Sequence, residues 1–173
     1  AEEIAESVRK RVQEIHPGQW IYGRGWDQND WQAKEFPHAA LLDRVSPDNP
    51  VYLTRIDGHA VWVNSKGMDL AGIIPETPDP EGGKILHDGE GNPTGVFVDN
   101  AVDLIAKVLP KLTDEDVEQR LKLALNECAR LGLTEVHDMG VDLQTIRIYK
   151  KLIDNGECPV RVYAVIGGPR ETG

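Results

Sequence analysis

The sequence predicts an α+β region over residues 1–112, followed by a strand–helix–strand piece of an α/β fold over residues 113–173. In the second region, strand-like and helix-like segments alternate with short connections, a pattern typical of parallel strands joined by a right-handed crossover. The first region shows no such alternation. A chain of 173 residues is long enough for one hydrophobic core, or for one core with a smaller companion.

Composition narrows the classes of function. The formal net charge is −10 and the 19 Lys and Arg residues are scattered along the chain, which argues against a nucleic-acid partner. No apolar run approaches the roughly 20 residues that span a bilayer, so we expect no membrane partner. Cys128 and Cys158 fit neither a disulfide framework nor a zinc cluster, which predicts a reducing, cytoplasmic location. The chain opens inside a helix pattern without an initiator Met, and we expect a piece of a longer protein.

The first elements follow from the spacing of apolar residues. A first helix of about four turns is predicted up to the Pro17–Gly18 pair, from the helical spacing of Ile4, Val8, Val12 and Ile15. The segment "WIYGRGWD" is predicted as a short strand and residues 37–45 as a short helix. The segment "VYLTRI" is predicted as a buried strand because of its β-branched and apolar residues.

The loop "GWDQNDW" carries two Trp and two Asp residues within six positions. Aromatic faces flanked by carboxylates bind sugars or cations, which raises the alternative of a non-catalytic ligand-binding module. Packing of Trp26 and Trp31 onto a strand is the commoner arrangement, and we favour it.

The stretch "RIDGHAVWVNSKGMDLAGI" places chemical groups where a strand pattern gives way to a helix. An imidazole is a good metal ligand and an Asn amide can bind a substrate amide, so His59 and Asn64 are candidates to face a substrate, and His59 is a candidate metal ligand. The structural alternative is that His59 braces a turn, Trp62 belongs to the core, and Asn64 with Ser65 caps the helix. Spacing alone leaves both interpretations open.

The Pro- and Gly-rich segment from residue 75 to 93 predicts a hairpin with residues 84–87 and 95–98 as strands, as an excursion outside the core. Asp99 and Asn100 follow it. They are predicted to cap the helix "AVDLIAKVL", with an acidic group reaching toward a site as the functional alternative.

The second region begins with the most clearly marked helix. Thr113 and Asp116 form a capping box at its start and Gly132 ends it, and its predicted buried stripe is Val117, Leu121, Ala124, Cys128 and Leu131. The strand "LTEVHDMG", the helix "LQTIRIYKKLIDNG" and the strand "CPVRVYAVIGG" follow. His137 and Asp138 are predicted at the carboxyl end of a parallel strand, where active-site residues of such folds lie.

Four segments in order resemble the amidohydrolase superfamily, specifically amidohydrolase family 3, the YtcJ-like metal-dependent hydrolases. The segments are "GRGWDQNDW", "FPHAALLDRVSPDNPVYLTRIDGHAVWVNSKGMDLAGI", "GEGNPTGVFVDNAVDLI" and "GLTEVHDMG". The resemblance implies a distorted TIM barrel with one or two divalent metals, usually zinc, which hydrolyses amide-type bonds of small molecules by metal-activated water. Residues 1–112 would then be an insertion between barrel strands one and two, and the rest of the chain would supply strands two and three of an incomplete barrel.

One feature of that family is absent. The five His residues never occur two apart, so the His-x-His metal pair is missing. We therefore expect no bound cofactor and no activity of the chain in isolation, and we assign no catalytic residue within this chain. Without the pair, the sequence leaves open whether His137 is catalytic or only hydrogen-bonded beside the site. A purely architectural insertion is a further alternative. The apolar strand edges of such a fragment also predict self-association. The candidates to face a substrate are His59, Trp62, Asn64, Asp99, His137 and Asp138.

Overall fold

The computed structural model describes residues 1–167, and Gly168, the last residue of the predicted strand "CPVRVYAVIGG", lies outside the described residues. The chain divides into two compact units, which we call unit 1 (residues 1–109) and unit 2 (from residue 110 onward). Among the described residues, no helix is long and apolar enough to cross a membrane.

Unit 1 contains five strands and four α-helices. In chain order they are α1 (Glu2–Val12), β1 (Ile21–Trp26), α2 (Ala39–Asp43), β2 (Val51–Arg55), β3 (Ala60–Val63), α3 (Ser65–Ala71), β4 (Gly83–His87), β5 (Pro93–Asp99) and α4 (Val102–Ala106). The predicted strands and the strand-to-helix change before α3 are confirmed. The first helix is shorter than predicted, because hydrogen bonds from Gln13 and Glu14 to carbonyls three residues earlier tighten its end into a turn.

The five strands of unit 1 form one sheet in the order β1-β2-β3-β5-β4. β1 pairs with β2 in parallel, and the remaining neighbours are antiparallel. The expectation that this region lacks a strand–helix–strand unit is therefore wrong. β1, α2 and β2 form one. Each of the three elements is predicted from the sequence, but the parallel pairing of β1 with β2 is a contact between separate strands and leaves no local pattern.

The hairpin of β4 and β5 is confirmed, but its description as an excursion outside the core is wrong. Ile85, Val96 and Phe97 have no exposed surface, because β5 pairs with β3 in the middle of the sheet. Both faces of the sheet are covered. Trp62 packs with Leu42 and Val96 on one face, and the other face is a cluster of Val61, Val63, Met68, Ile85, Phe97 and Ile105.

Unit 2 consists of α5 (Asp114–Arg130), β6 (Glu135–Val141), α6 (Leu143–Asp154) and β7 (Arg161–Ile166). The capping box and the parallel pairing of β6 with β7 are confirmed. The predicted buried stripe of α5 is confirmed in part: Val117, Leu121 and Cys128 pack in the core of unit 2. Ala124 and Leu131 are exposed, and Leu125 is buried instead. The reason is the packing partner, because α5 buries only the face that contacts α6 and the sheet.

Candidate functional site

Polar side chains meet at one end of the sheet of unit 1. β1, β2 and β5 all end there and β3 begins there, because β1 runs parallel to β2 while β3 is antiparallel to β2 and β5. We call this the polar sheet end, and its residues are Asp27, Arg55, Asp57, His59 and Asp99.

Arg55 connects two carboxylates of the polar sheet end. Its guanidinium donates to Oδ2 of Asp57 at 2.8 Å and to Oδ1 of Asp27 at 3.4 Å, and its side chain is only 18% exposed. Asp27 also accepts a hydrogen bond from the backbone N–H of Asn29, and this bond, assisted by Arg55, holds the pKa of Asp27 below its usual value. The carboxylate of Asp27 is thus favoured in its ionised form beside the Arg55 cation.

His59 and Asp99 form a pair although 40 residues separate them. Nδ1 of His59 lies 2.9 Å from Oδ1 of Asp99, and both side chains are exposed, at 72% and 51%. The backbone N–H of His59 donates to Oδ1 of Asp57 at 3.0 Å, and the backbone N–H of Asp99 donates to the carbonyl of His59 at 2.7 Å. The structure therefore brings two of the predicted site residues together and fixes the backbone on which they stand.

Asp99 does not cap a helix. α4 begins after Ala101 with no side-chain cap, and the Asn100 side chain donates to the carbonyl of Glu81 at 2.8 Å. The predicted cap by Asp99 and Asn100 is therefore wrong. The reason is local, because the chain turns at Asp99 with φ of 50°, and its carboxylate bonds to His59 instead of a helix end.

Asn64 is fully buried and acts as the cap of α3. Its side-chain oxygen accepts from the N–H groups of Val51 and Gly67, and its side-chain nitrogen donates to the carbonyls of Ser46 and Asn49. All four bonds that an amide can make are satisfied inside unit 1. The structure favours the cap interpretation of Asn64 over a role toward substrate.

Trp62 is also fully buried and belongs to an aromatic cluster. Its ring lies 6.4 Å from those of Trp26 and Trp31, and the Trp26 and Trp31 rings stack at 6.1 Å. The Trp26 indole N–H donates to the carbonyl of Leu53 at 2.8 Å. The Trp-rich loop therefore packs onto its own sheet, which weakens the alternative of a binding module built on exposed rings.

In unit 2, His137 and Asp138 lie in the middle of β6 and not at its carboxyl end, and they point to opposite faces. Asp138 accepts a hydrogen bond from the hydroxyl of Tyr149 on α6 at 2.7 Å. Burial, followed by the bond to Asp138, raises the pKa of the Tyr149 phenol far above its ordinary value. Asp138 thus faces the helices.

His137 lies on the other face of β6, where its ring is 5.1 Å from that of Tyr163. Within the described chain, this face of the two-stranded sheet is exposed: Met139 is 69% and Tyr163 is 62% accessible. We call it the bare face, and its residues are Glu135, His137, Met139, Arg161 and Tyr163.

A metal centre requires more ligands than this part of the chain brings together. A zinc site takes three or four protein ligands, and within residues 1–167 no group of three His, Cys, Asp or Glu side chains is placed to hold an ion. His59 has one carboxylate beside it. The described residues do not fit a metal centre by themselves, so no metal chemistry is assigned to them.

Sequence reasoning missed Arg55 and Tyr149. Arg55 stands two residues before Asp57 in a turn, a spacing that lets the two side chains meet, and this local signal was available. Tyr149 meets Asp138 only because α6 packs against β6, and a contact between separate elements leaves no local pattern.

Known proteins resemble this chain along nearly its whole length. The model of the amidohydrolase family matches residues 1–171. YtcJ of Bacillus subtilis, which is named as an amidohydrolase, is 34% identical over 94% of this chain and 32% of its own length. The N-substituted formamide deformylase of Arthrobacter pascens is 30% identical over 96% of this chain and 32% of its own.

A solved structure is also similar to this chain. An uncharacterized metal-dependent hydrolase from Pyrococcus horikoshii matches 94% of this chain and 31% of its own chain, with a TM-score of 0.62 and 26% identity. The chain thus spans about a third of the length of these relatives.

Proposed function

Because the chain belongs to the amidohydrolase family, we propose that it is part of a longer metal-dependent hydrolase that cleaves amide-type C–N bonds, other than peptide bonds, in small molecules. The observation that carries this proposal is the family match along nearly the whole chain. The relative named as a formamide deformylase supports N-substituted formamides as the first substrates to test.

In this proposal, unit 2 supplies the second and third strands of a TIM-type barrel. Three features support it: β6 and β7 are parallel, a helix connects them, and their covered face packs on α5 and α6. In such barrels the helices cover the outside and the other face of each strand points inward. The bare face, with His137, would then line the barrel. Self-association of the isolated chain stays a prediction.

Unit 1 would be the insertion between barrel strands one and two. Two predicted site residues of this unit reach solvent, His59 and Asp99, and they meet at the polar sheet end. We propose that this end, and not the buried Trp62 or Asn64, faces the substrate.

The metal would be held by groups elsewhere in the longer protein. The structurally similar hydrolase is described as metal-dependent, and we propose zinc as the ion. A cytoplasmic location stays a prediction.

The test compares the longer protein, which we call the full-length parent, with the 173-residue chain. We expect the parent to hydrolyse a secondary formamide, to lose activity with a chelator and to regain it with zinc, whereas the 173-residue chain should neither turn over substrate nor bind zinc stoichiometrically. A parent that is fully active without metal would overturn the proposal that it is a metal-dependent hydrolase. Stoichiometric zinc on an active 173-residue chain would overturn the placement of the metal ligands.

The architectural alternative makes a different prediction for the parent. If unit 1 only completes the fold, replacing both His59 and Asp99 by Ala leaves kcat and KM unchanged. If the polar sheet end faces substrate, the same pair of changes lowers kcat/KM while the fold, followed by circular dichroism, is retained.

A further inference from the structure

We infer that Asp99 selects one tautomer of the neutral His59 ring, with the proton on Nδ1, so that Nε2 offers a lone pair to the N–H group of a secondary amide. The tautomer follows from the geometry of unit 1. The substrate class rests in addition on the function proposed above.

The hydrogen bond fixes the proton. A carboxylate can only accept hydrogen bonds, and Oδ1 of Asp99 lies 2.9 Å from Nδ1 of His59. Nδ1 must therefore be the donor, and in the neutral ring Nε2 is then the unprotonated nitrogen.

The backbone on both sides of the pair is also fixed. The backbone N–H of His59 donates to the side chain of Asp57, which lies in the turn before β3. The backbone N–H of Asp99 donates to the His59 carbonyl at 2.7 Å. Asp99 adopts a positive φ of 50°, a region that residues other than Gly seldom occupy. Uncommon backbone conformations of this kind cluster at functional sites, and here the conformation accompanies the contact with His59.

Nε2 is free to meet a ligand. The His59 side chain is 72% exposed, and among residues 1–167 the only hydrogen-bond partner of its ring is Asp99. An unprotonated Nε2 accepts one hydrogen bond and donates none. It therefore matches the N–H of a secondary amide and cannot hydrogen-bond in this way to a tertiary amide, which has no N–H.

A second His in unit 1 provides an internal contrast. Nδ1 of His38 accepts a hydrogen bond from the backbone N–H of Ala40 at 3.1 Å, so neutral His38 carries its proton on Nε2. The two rings hold opposite tautomers in one molecule. In this pairing His59 is the substrate-binding residue and Asp99 is a positioning residue, which acts through His59.

The first experiment records the ¹⁵N resonances of the imidazole rings in the 173-residue chain above neutral pH. We expect His59 to show a protonated Nδ1 and an unprotonated Nε2, and His38 to show the reverse. Asp99→Ala should convert His59 to a mixture of tautomers without changing His38. Asp99→Asn, whose side-chain oxygen can still accept, should retain part of the preference. A His59 that is protonated on Nε2, or whose tautomer does not respond to Asp99→Ala, overturns the inference.

The second experiment measures selectivity in the full-length parent with formanilide and its tertiary counterpart N-methylformanilide. The ratio of their kcat/KM values should fall by about tenfold in His59→Ala and in Asp99→Ala, as for the loss of one hydrogen bond. Asp69→Ala, at an exposed position on α3, is the matched control and should keep the ratio.

The two proposals fail in different ways. A parent that prefers the secondary amide equally well after Asp99→Ala overturns the inference and leaves the proposed function in place. A parent that hydrolyses neither formamide overturns the substrate part of both, and the ring resonances then decide the tautomer independently.

Discussion

The side-chain oxygen of Asn64 accepts a hydrogen bond from the backbone N–H of Val51 at 2.9 Å, while the same side chain caps α3. We predict that Asn64→Ala is severely destabilising. It removes a cap and leaves buried backbone groups of β2 and the preceding turn without partners, which together should lower the free energy of unfolding by about 3 kcal/mol or more.

Urea denaturation followed by Trp fluorescence measures this loss, since the Trp cluster lies in unit 1. Asp69→Ala, at an exposed position of α3 in the same unit, is the matched control and should change stability by no more than about 0.5 kcal/mol. An Asn64→Ala chain as stable as this control would contradict the description of Asn64 as a structural centre.

Two residues other than Gly have positive φ among those described, Lys34 at 51° and Asp99 at 50°. Replacing Lys34 by Gly should raise the free energy of unfolding by about 1 kcal/mol, because an L-residue is strained in this conformation. Asp99→Gly should give a smaller gain, since Asp tolerates the conformation better, and it removes the bond to His59. Thermal denaturation measures both. Lys66→Gly, in the right-handed helix α3, is a control with the opposite expected effect and should lower the free energy of unfolding by about 1 kcal/mol.

The capping box of α5 should weaken in acid. The backbone N–H of Thr113, and then its hydroxyl, lower the pKa of Asp116. A lowered pKa in the folded state means that the stabilisation is present above pH ~4 and is lost as the pH falls through the lowered value. Thr113→Ala should cost about 1 kcal/mol near neutral pH and less at pH ~2.

Amide hydrogen exchange of the first turn of α5 follows this change. Thr134→Ala, at an exposed position before β6, controls for the loss of a hydroxyl group in unit 2. A Thr113→Ala effect of equal size at both pH values would count against the role of the Asp116 carboxylate.

Tyr149 should make unit 2 sensitive to alkali. Because burial and Asp138 raise the pKa of its phenol in the folded state, its contribution to stability is complete below pH ~10 and declines as the pH rises beyond that value. Tyr149→Phe should reduce this decline, although it lowers stability at neutral pH by about 1 kcal/mol through the lost bond to Asp138. Chemical denaturation between pH 8 and pH 11 measures both effects; the exposed Tyr163→Phe should leave the alkaline decline in place.

The elements that the sequence predicted correctly are those set by local chemistry. The bond between Thr113 and Asp116 spans one helical turn, and the α6 pattern is strongly amphipathic, so both helices could be recognised. The burial of the hairpin could not, because it depends on pairs such as Val61 with Phe97, which are far apart in the chain. The prediction that Ala124 is buried on α5 failed for a similar reason, since Leu125 and Ala124 are both apolar and only the packing partner selects between them.

The candidate site, too, could be predicted from the sequence only where the signal is local. His59 and Asp99 were each recognised from their surroundings in the sequence, but their contact bridges 40 residues and depends on how β3 and β5 pair. The cap assigned to Asp99 was the ordinary role of an Asp before a helix. Only the backbone conformation at Asp99 removes that role, and no sequence rule predicts a positive φ at this residue.

The two outer strands of the sheet bear on how the chain behaves at high concentration. β1 is interrupted at Gly25 and β4 at Leu86, where the pairing registers shift, and each strand carries an exposed cation, Arg24 or Lys84. A growing cross-β fibril needs a flat, uninterrupted strand with little charge as its template. Neither edge supplies one, so this sheet should not seed amyloid-like fibres, even in a chain that associates through other surfaces.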